Sequence, residues 1–561
     1  MKKILTTFTL LTFISFGIKA QTNVSGGIFA NTTWTMANSP YIVTSNVVVF
    51  PGFTLTIQPG VTVKFKNNQQ LEIRQAKLLA IGTAIDSITF TSDSVAPAPG
   101  VYSGIYLNAG SLTSKFNYCK FNYANIGINA TSADSLIVSN SNFSNDSIGL
   151  QFIGNTVAQV AMINNTVFTH NPKQGLIIRG LHYSGISNCN FLFNGIDGLI
   201  MDDMSGAMAV GINNCNFTNN DVGASSSMHH LNMNHCNFLN NTSHGLEGFG
   251  YMSPFDSYAN SIKNSVFSFN QTGIAMVARM KYDSCTIKHN QTGSTSGGVC
   301  RIKNSTIDSN AVLGWSAYND SIIYCNVKYN GTGIVAASLT IISGSTIEYS
   351  TGANISAGAG TTKITGNTIS FGAVGIDNNA AGTFTITQNT IDNNGIGINS
   401  VSSISSISCN RICNNTTYDF KYGGSAALNA DHNYWCTPDS AITQTLIYDG
   451  HNNLSYGLVN FMPVDSVCVP GGITTGISNN TSQTFSFSVF PNPASDNLTI
   501  ELPKNILRSE IKILNLLGEL EYSSKALTQK TNVDISTLGN GLHVVQITSG
   551  NNVSRQRFVK Q

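Results

Sequence analysis

The chain has 561 residues, of which 41% are apolar and only 10% charged, with a formal net charge of +1. Its length exceeds the ~250 to 300 residues at which a single compact core stops growing, so it is either divided or built by repetition. The near-neutral balance offers no basic surplus to neutralise phosphates, which sets nucleic acid aside as a partner.

Residues 1–20 read as a secretory signal peptide: Met1-Lys2-Lys3, an apolar run from Ile4 to Ile18, then Lys19-Ala20, with cleavage expected after Ala20. No cysteine follows the cut, so a lipid-anchored form is not indicated. No later stretch offers ~18 consecutive apolar residues, so no transmembrane helix is expected in the mature chain. Residues 21–115 hold short alternating runs such as Val47-Val48-Val49, Leu55-Thr56-Ile57 and Val61-Thr62-Val63, separated by Pro51-Gly52 and Pro59-Gly60. They read as a cap and first coils that shield an otherwise unpaired strand edge.

From 116 to 420 one pattern returns. Its large apolar residue stands at Phe121, Phe143, Phe168, Phe191, Phe217, Phe238, Phe267, Ile287, Ile307, Val327, Ile347, Ile369, Ile391 and Ile412, at intervals of 20 to 29 residues by subtraction. Two residues earlier comes a small or amide side chain, including Cys119, Cys189, Cys215, Cys236, Cys285 and Cys325. Three residues later comes asparagine in ten of the fourteen copies, and a glycine such as Gly198, Gly223 or Gly273 follows in thirteen.

Such a unit cannot bury its own apolar face and must stack on its neighbours. Its alternation and its Ile, Val, Phe and Thr content make the unit one of short strands. Glycine is expected to supply positive-φ corners, and the asparagine column to bond along the stack. The six column cysteines read as small buried fillers rather than a disulfide framework. Among Cys409, Cys413, Cys436 and Cys468 a disulfide is conceivable, but the spacing does not give its pairing. These residues resemble the right-handed parallel β-helix repeat family, of which pectate lyases are the best-known members. The resemblance implies an all-β right-handed parallel β-helix solenoid, and it speaks for fold rather than activity.

Coil spacing is most irregular between Phe143 and Phe267, where titratable side chains also concentrate, and insertions in a solenoid gather on one face. Counted from each marker, Arg179 lies at +11, Asp202 and Asp203 at +11 and +12, and His229 and His230 at +12 and +13, offsets that would let them project from one wall. Paired carboxylates beside histidine and arginine are the equipment of sugar chemistry: an acid, a base for water, and a cation for substrate carboxylates. Asp202-Asp203, His229-His230 and Arg279-Met280-Lys281 resemble the order of polygalacturonase motifs, but the Asn-Thr-Asp and Gly-His-Gly contexts are missing. The longest coil adds Phe249, Tyr251, Phe255 and Tyr258 around Glu247 and Asp256, aromatic faces suited to stacking on sugar rings. No metal-binding motif is present, and no cofactor is implied.

Residues 421–468, opening with Asp431-His432-Asn433-Tyr434-Trp435-Cys436, read as a cap on the last coil, followed by a polar linker over 469–486. From 487 to 561, denser charge and several short strands predict a small C-terminal β-sandwich. Phe490-Pro491-Asn492-Pro493-Ala494, Leu516-Leu517-Gly518, Gly539-Asn540-Gly541-Leu542 and Arg557-Phe558-Val559-Lys560 resemble the type A C-terminal sorting domain of type IX secretion cargo. That resemblance implies Sec export to the periplasm of a Bacteroidetes-type bacterium, engagement of the type IX machinery, and delivery to the outer-membrane surface or the medium. Asp-Ser before an aliphatic residue recurs, as at Asp146, Asp320 and Asp439, and is either similar to an O-glycosylation sequon of such bacteria or plain turn chemistry.

Two function classes follow. One is a non-catalytic, adhesin-like or glycan-binding surface protein with extracellular polysaccharide or cell-surface glycan as partner. The other is an extracellular polysaccharide lyase or glycoside hydrolase. Sparse charge and incomplete motifs favour the first.

Overall fold

The computed structural model describes residues 21–202, 209–227, 230–248, 260–464, 485–503, 509–515, 519–526, 528–549 and 552–561. The expected signal peptide lies outside them. The chain divides into a unit ending at Gly472 and one beginning at Ile473.

The first unit is a solenoid with three short strands per coil. Val222–Ser226, His230–Asn234 and Asn237–Leu239 form one coil and pair in parallel with His244–Gly248, Asn260–Lys263 and Val266–Ser268 of the next. The three stacks they represent are called the first, second and third faces.

All fourteen marker residues lie on the third face and oppose one another directly, from Phe121↔Phe143 to Ile391↔Ile412. Phe90, Val63 and Tyr41 extend the column upstream through Phe90↔Phe121, Val63↔Phe90 and Tyr41↔Val63. The phenylalanine rings stack at 4.4 Å for Phe121 with Phe143 and 4.8 Å for Phe191 with Phe217. Each such contact adds about 0.5–1.5 kcal/mol to the apolar burial.

The asparagine column is a buried ladder. From Asn171 through Asn194, Asn220, Asn241, Asn270, Asn290 and Asn310 to Asn330, each Nδ2 donates to the next Oδ1 at 2.9–3.2 Å. Where the column reads Ser350 and Gly372, Asn354 substitutes: its Oδ1 accepts from Ser350 N and its Nδ2 donates to Asn394. The ladder begins at Asp146, whose Oδ1 accepts from Ala124 N, and ends at Asp419, which accepts from Asn415. Asp146 and Asp320 are therefore buried acceptors for the coil below, and Asp439 caps the helix Ser440–Leu446, so these three Asp-Ser pairs have structural roles.

The glycine column departs from expectation. Positive φ is carried by non-glycine residues flanking each third-face strand, such as Asn214 (φ 53) and Asn219 (φ 58). The glycines are required by close approach instead: a Cβ on Gly223 would lie 2.4 Å from the carbonyl oxygen of Gly245. The column cysteines Cys119, Cys189, Cys215, Cys236, Cys285 and Cys325 are buried free thiols. Cys413 and Cys436 form a disulfide, and Cys409 is also disulfide-bonded. Trp435 is buried in the solenoid core, and Ile447–Tyr448 adds to the last first-face strand beside Phe420 and Lys421.

In the second unit, Ser488–Phe490, Asn497–Glu501 and Lys530–Asp534 make a three-stranded antiparallel sheet. Leu520–Ala526, Ser509–Leu514, Gly541–Ser549 and Asn552–Lys560 make a four-stranded one. Both contribute to one core containing Leu498, Ile500, Val533, Ile511, Val545, Ile547 and Phe558, which makes the unit a small β-sandwich.

Candidate functional site

Register along the first face brings Arg179 and Asp202 together. They end the paired segments of adjacent coils, residue opposite residue, with Nε 3.5 Å from Oδ2. Ser227 of the following coil donates its hydroxyl to Asp202 Oδ1 at 2.9 Å. Arg179, Asp202, Ser227 and Glu247, with Ile196, Ile200 and Met201, line an open hollow of about 510 Å³.

At the other edge of this hollow is Asp197, which sequence reasoning missed. Its carboxylate accepts from Ser225 Oγ at 2.6 Å, and Gln174 lies at 3.5 Å. Burial pushes its pKa above the ordinary value; the hydrogen bonds from Ser225 and Gln174 oppose this, and the charge of Asp221 reinforces it. The one signal in the sequence is an acid where the paired coils carry Val222, His244 and Thr272.

His230 stands elsewhere: it opens His230–Asn234 on the second face, opposite Ala209, across a corner from Arg179 and Asp202. Asp203, His229, Phe249, Tyr251, Phe255 and Tyr258 lie outside the described residues. Among the described residues no three His, Cys, Asp or Glu side chains cluster as metal ligands.

A row of aromatic rings lies along the corner after the third face. Tyr329, Tyr349 and Phe371, two residues after their markers, stack at 4.9 and 4.7 Å, and all three are exposed. Stacked face to face along the solenoid, they turn their edges outward and leave ring faces open only at the row's ends. Such a row suits mutual packing better than flat stacking on a sugar.

In the second unit the two ends of the sorting motif meet. Asn492 Oδ1 accepts from Val559 N at 2.9 Å and its Nδ2 donates to Arg557 O at 3.3 Å. Ala494, after Pro491 and Pro493, bridges Lys560, which also pairs with Gly541. Gly518 lies outside the described residues.

Residues 103–254 match the family model of the right handed beta helix region, and residues 488–561 that of the secretion system C-terminal sorting domain. Ulvan lyase NLR42 of Nonlabens ulvanivorans is 34% identical over 82 residues, a match covering 14% of this chain and only 15% of that protein's length. Among solved structures, the periplasmic alginate epimerase AlgG is 9% identical, covering 65% of this chain and 76% of its own, with a TM-score of 0.22. The tailspike protein gp49 of Acinetobacter baumannii bacteriophage Fri1, a capsular polysaccharide depolymerase, is 14% identical over 90% of this chain and 73% of its own, with a TM-score of 0.19. Overlays this loose carry no function across. Among the described residues no helix is long and apolar enough to cross a membrane, which says nothing of β-barrels.

Proposed function

The chain is a right-handed parallel β-helix protein ending in a type IX secretion sorting domain, and from that premise we propose that it is a non-catalytic, adhesin-like binder of extracellular glycan. The sorting domain implies engagement of the secretion machinery and delivery out of the cell or onto its surface. The signal peptide fits a first export step to the periplasm.

The observation that carries the reading is the first-face hollow. Arg179, Asp202, Ser227 and Glu247 offer donors and acceptors for sugar hydroxyls, and Ile196 and Ile200 offer the apolar surface on which a ring rests. Both oxygens of Asp202 are already engaged, by Arg179 and Ser227. A carboxylate already held in that pairing suits recognition of sugar hydroxyls better than proton transfer to a substrate.

The lyase or hydrolase reading retains one observation, the buried Asp197 whose raised pKa suits a general acid. The test is retention of the purified full chain on immobilised polysaccharides, with release of reducing ends and unsaturated products followed in parallel. Glu247→Gln and Asp202→Asn should weaken retention. Depolymerisation abolished by Asp197→Asn or Asp202→Asn would replace the binding reading with the enzymatic one, and undiminished retention by the variants would move the glycan away from this hollow.

A further inference from the structure

The two ends of the solenoid are finished differently. At the C-terminal end Ile447–Tyr448 adds to the last first-face strand and Trp435 is buried in the core. The N-terminal coil consists of Thr22–Ile28 and Thr32–Trp34. The first of these bends round a corner at Ser25, with Thr22–Val24 on the third face and Gly26–Ile28 on the first, while Thr32–Trp34 lies on the second. Both strands pair with the next coil, and among the described residues nothing pairs with their outer edges. Val24 and Ile28 pack against the core but are only partly buried.

An open edge invites another strand, and proteins that keep it single guard it with charge, proline or a covering segment. Neither strand here holds proline, and no charged side chain occurs from Ala20 to Val63, 44 residues that would carry about four at the chain's 10% average. With the expected cleavage after Ala20, Gln21 alone precedes the edge.

The edge also fits its own copy. Thr22 N donates to Pro40 O, Phe50 N to Ile28 O and Gln58 N to Trp34 O, at 3.0–3.1 Å, so Thr22, Ile28 and Trp34 turn their backbone groups toward the next coil. Those groups alternate in direction along a strand, so Asn23, Gly27 and Thr33 aim theirs away from the solenoid. A two-fold axis through the Ser25 corner, perpendicular to the solenoid axis, exchanges the third and first faces and returns the second to itself. It sets Asn23 opposite Gly27 of a second copy, Ser25 opposite Ser25, and Thr33 opposite Thr33, so that outward N–H and C=O groups meet. Inward side chains such as Val24 and Gly26 stay inward across the junction, which makes the two cores continuous. One operation serves both strands, as a closed isologous dimer requires.

We propose that the N-terminal coil is a docking surface for a second copy of this chain, which pairs with it antiparallel through Thr22–Ile28 and Thr32–Trp34. This dimer does not depend on glycan binding in the first-face hollow.

The test is the mass of the full chain after signal-peptide removal, by light scattering over a dilution series, together with cysteine cross-linking. The expected result is twice the monomer mass at high concentration, falling to the monomer on dilution. Asn23→Pro with Thr33→Pro removes N–H groups that the next coil does not use, so the solenoid should melt as before while the dissociation constant rises at least about tenfold. Ser25→Cys should link two copies in air, because residues opposed on the axis have Cα atoms ~4.5–5.5 Å apart, within disulfide reach. Ser45→Cys, exposed at the same corner one rung further in, should not, since three rungs or about 14 Å separate the two copies of that residue. Should the proline variant fail to fold, the contrast between Ser25→Cys and Ser45→Cys decides alone. The proposal is overturned if the chain is monomeric throughout, if the folded double variant dimerises like the native chain, or if Ser45→Cys cross-links as readily as Ser25→Cys.

Discussion

Asn290 gives Asn310 both of its nitrogens: the side-chain Nδ2 donates to Asn310 Oδ1 at 3.0 Å, and the backbone N donates to the same oxygen at 3.1 Å. Asn310 Nδ2 in turn reaches the carbonyl of Ile287 at 3.2 Å. One buried amide thus satisfies three groups across neighbouring coils, which explains why the column is asparagine and not merely polar.

Asn310→Ala should therefore cost more than a surface change. It strands the Asn290 N and removes a donor from the Ile287 carbonyl, at roughly 1–3 kcal/mol for each group left unsatisfied, while Asn290 Nδ2 keeps the carbonyls of Phe267 and Lys288. Chemical denaturation should show a loss of about 2 kcal/mol or more, and hydrogen exchange should accelerate first at Asn290. An unchanged midpoint would mean that the ladder adds nothing to stability.

The two ends of the ladder are aspartates, and each has an oxygen, Asp146 Oδ2 and Asp419 Oδ2, that is buried without a hydrogen-bond partner. Burial raises the Asp419 pKa to about 6, against the opposing hydrogen bonds of Asn415 and the charge of Arg411, and burial likewise raises Asp146. The folded state thus keeps a proton that the unfolded chain releases near pH ~4. Its stability contribution is complete below that value and is lost as pH rises through about 6. Asp419→Asn should stabilise the protein at pH 7 by about 2–3 kcal/mol and by little at pH 4. Melting curves of both proteins across this range check the sign; equal stability gains at both pH values would contradict it.

At the exposed corner, Tyr349 has φ 58 and stacks between Tyr329 and Phe371. Left-handed backbone costs a bulky residue about 1–2 kcal/mol, and the coils that carry Asn219 or Asn240 at this position reduce that cost. Tyr349→Ala loses the stacking and keeps the strain, so it should destabilise by about 1 kcal/mol. Tyr349→Asn should recover most of the loss, as differential scanning calorimetry would show.

In the sorting domain, Asn492 ties the start of the motif to its end through Val559 N and Arg557 O. Asn492→Ala should cost about 1–2 kcal/mol in that domain and lower the fraction of the chain reaching the surface or the medium, read by fractionation and immunoblotting. Wild-type export would remove Asn492 from the sorting determinants.

The solenoid was legible because its third face repeats one kind of residue at one offset, so spacing alone sets Phe121 to Ile412 in a column. Tyr41, Val63 and Phe90 belong to the same column, but Thr44, Lys66 and Asp93 stand three residues after them where the repeat carries asparagine. The glycines were legible and their reason was not, since a one-letter pattern does not separate positive φ from a carbonyl 2.4 Å away, as at Gly223. The site was legible only in part. Equal offsets placed Arg179 opposite Asp202, but a corner intervenes before His230, and no count from a third-face marker reveals where a coil turns. Asp197 was hidden because its role depends on burial beside Ser225 rather than on a motif.

The measurement that bears most directly on the account is retention of the purified full chain across a panel of plant, algal and bacterial polysaccharides, with reducing ends and unsaturated-product absorbance followed in the same samples. Retention on at least one polymer without any new chain ends, diminished by Glu247→Gln, is the predicted result. Polymer cleavage, or failure to be retained by any polymer on the panel, would contradict it.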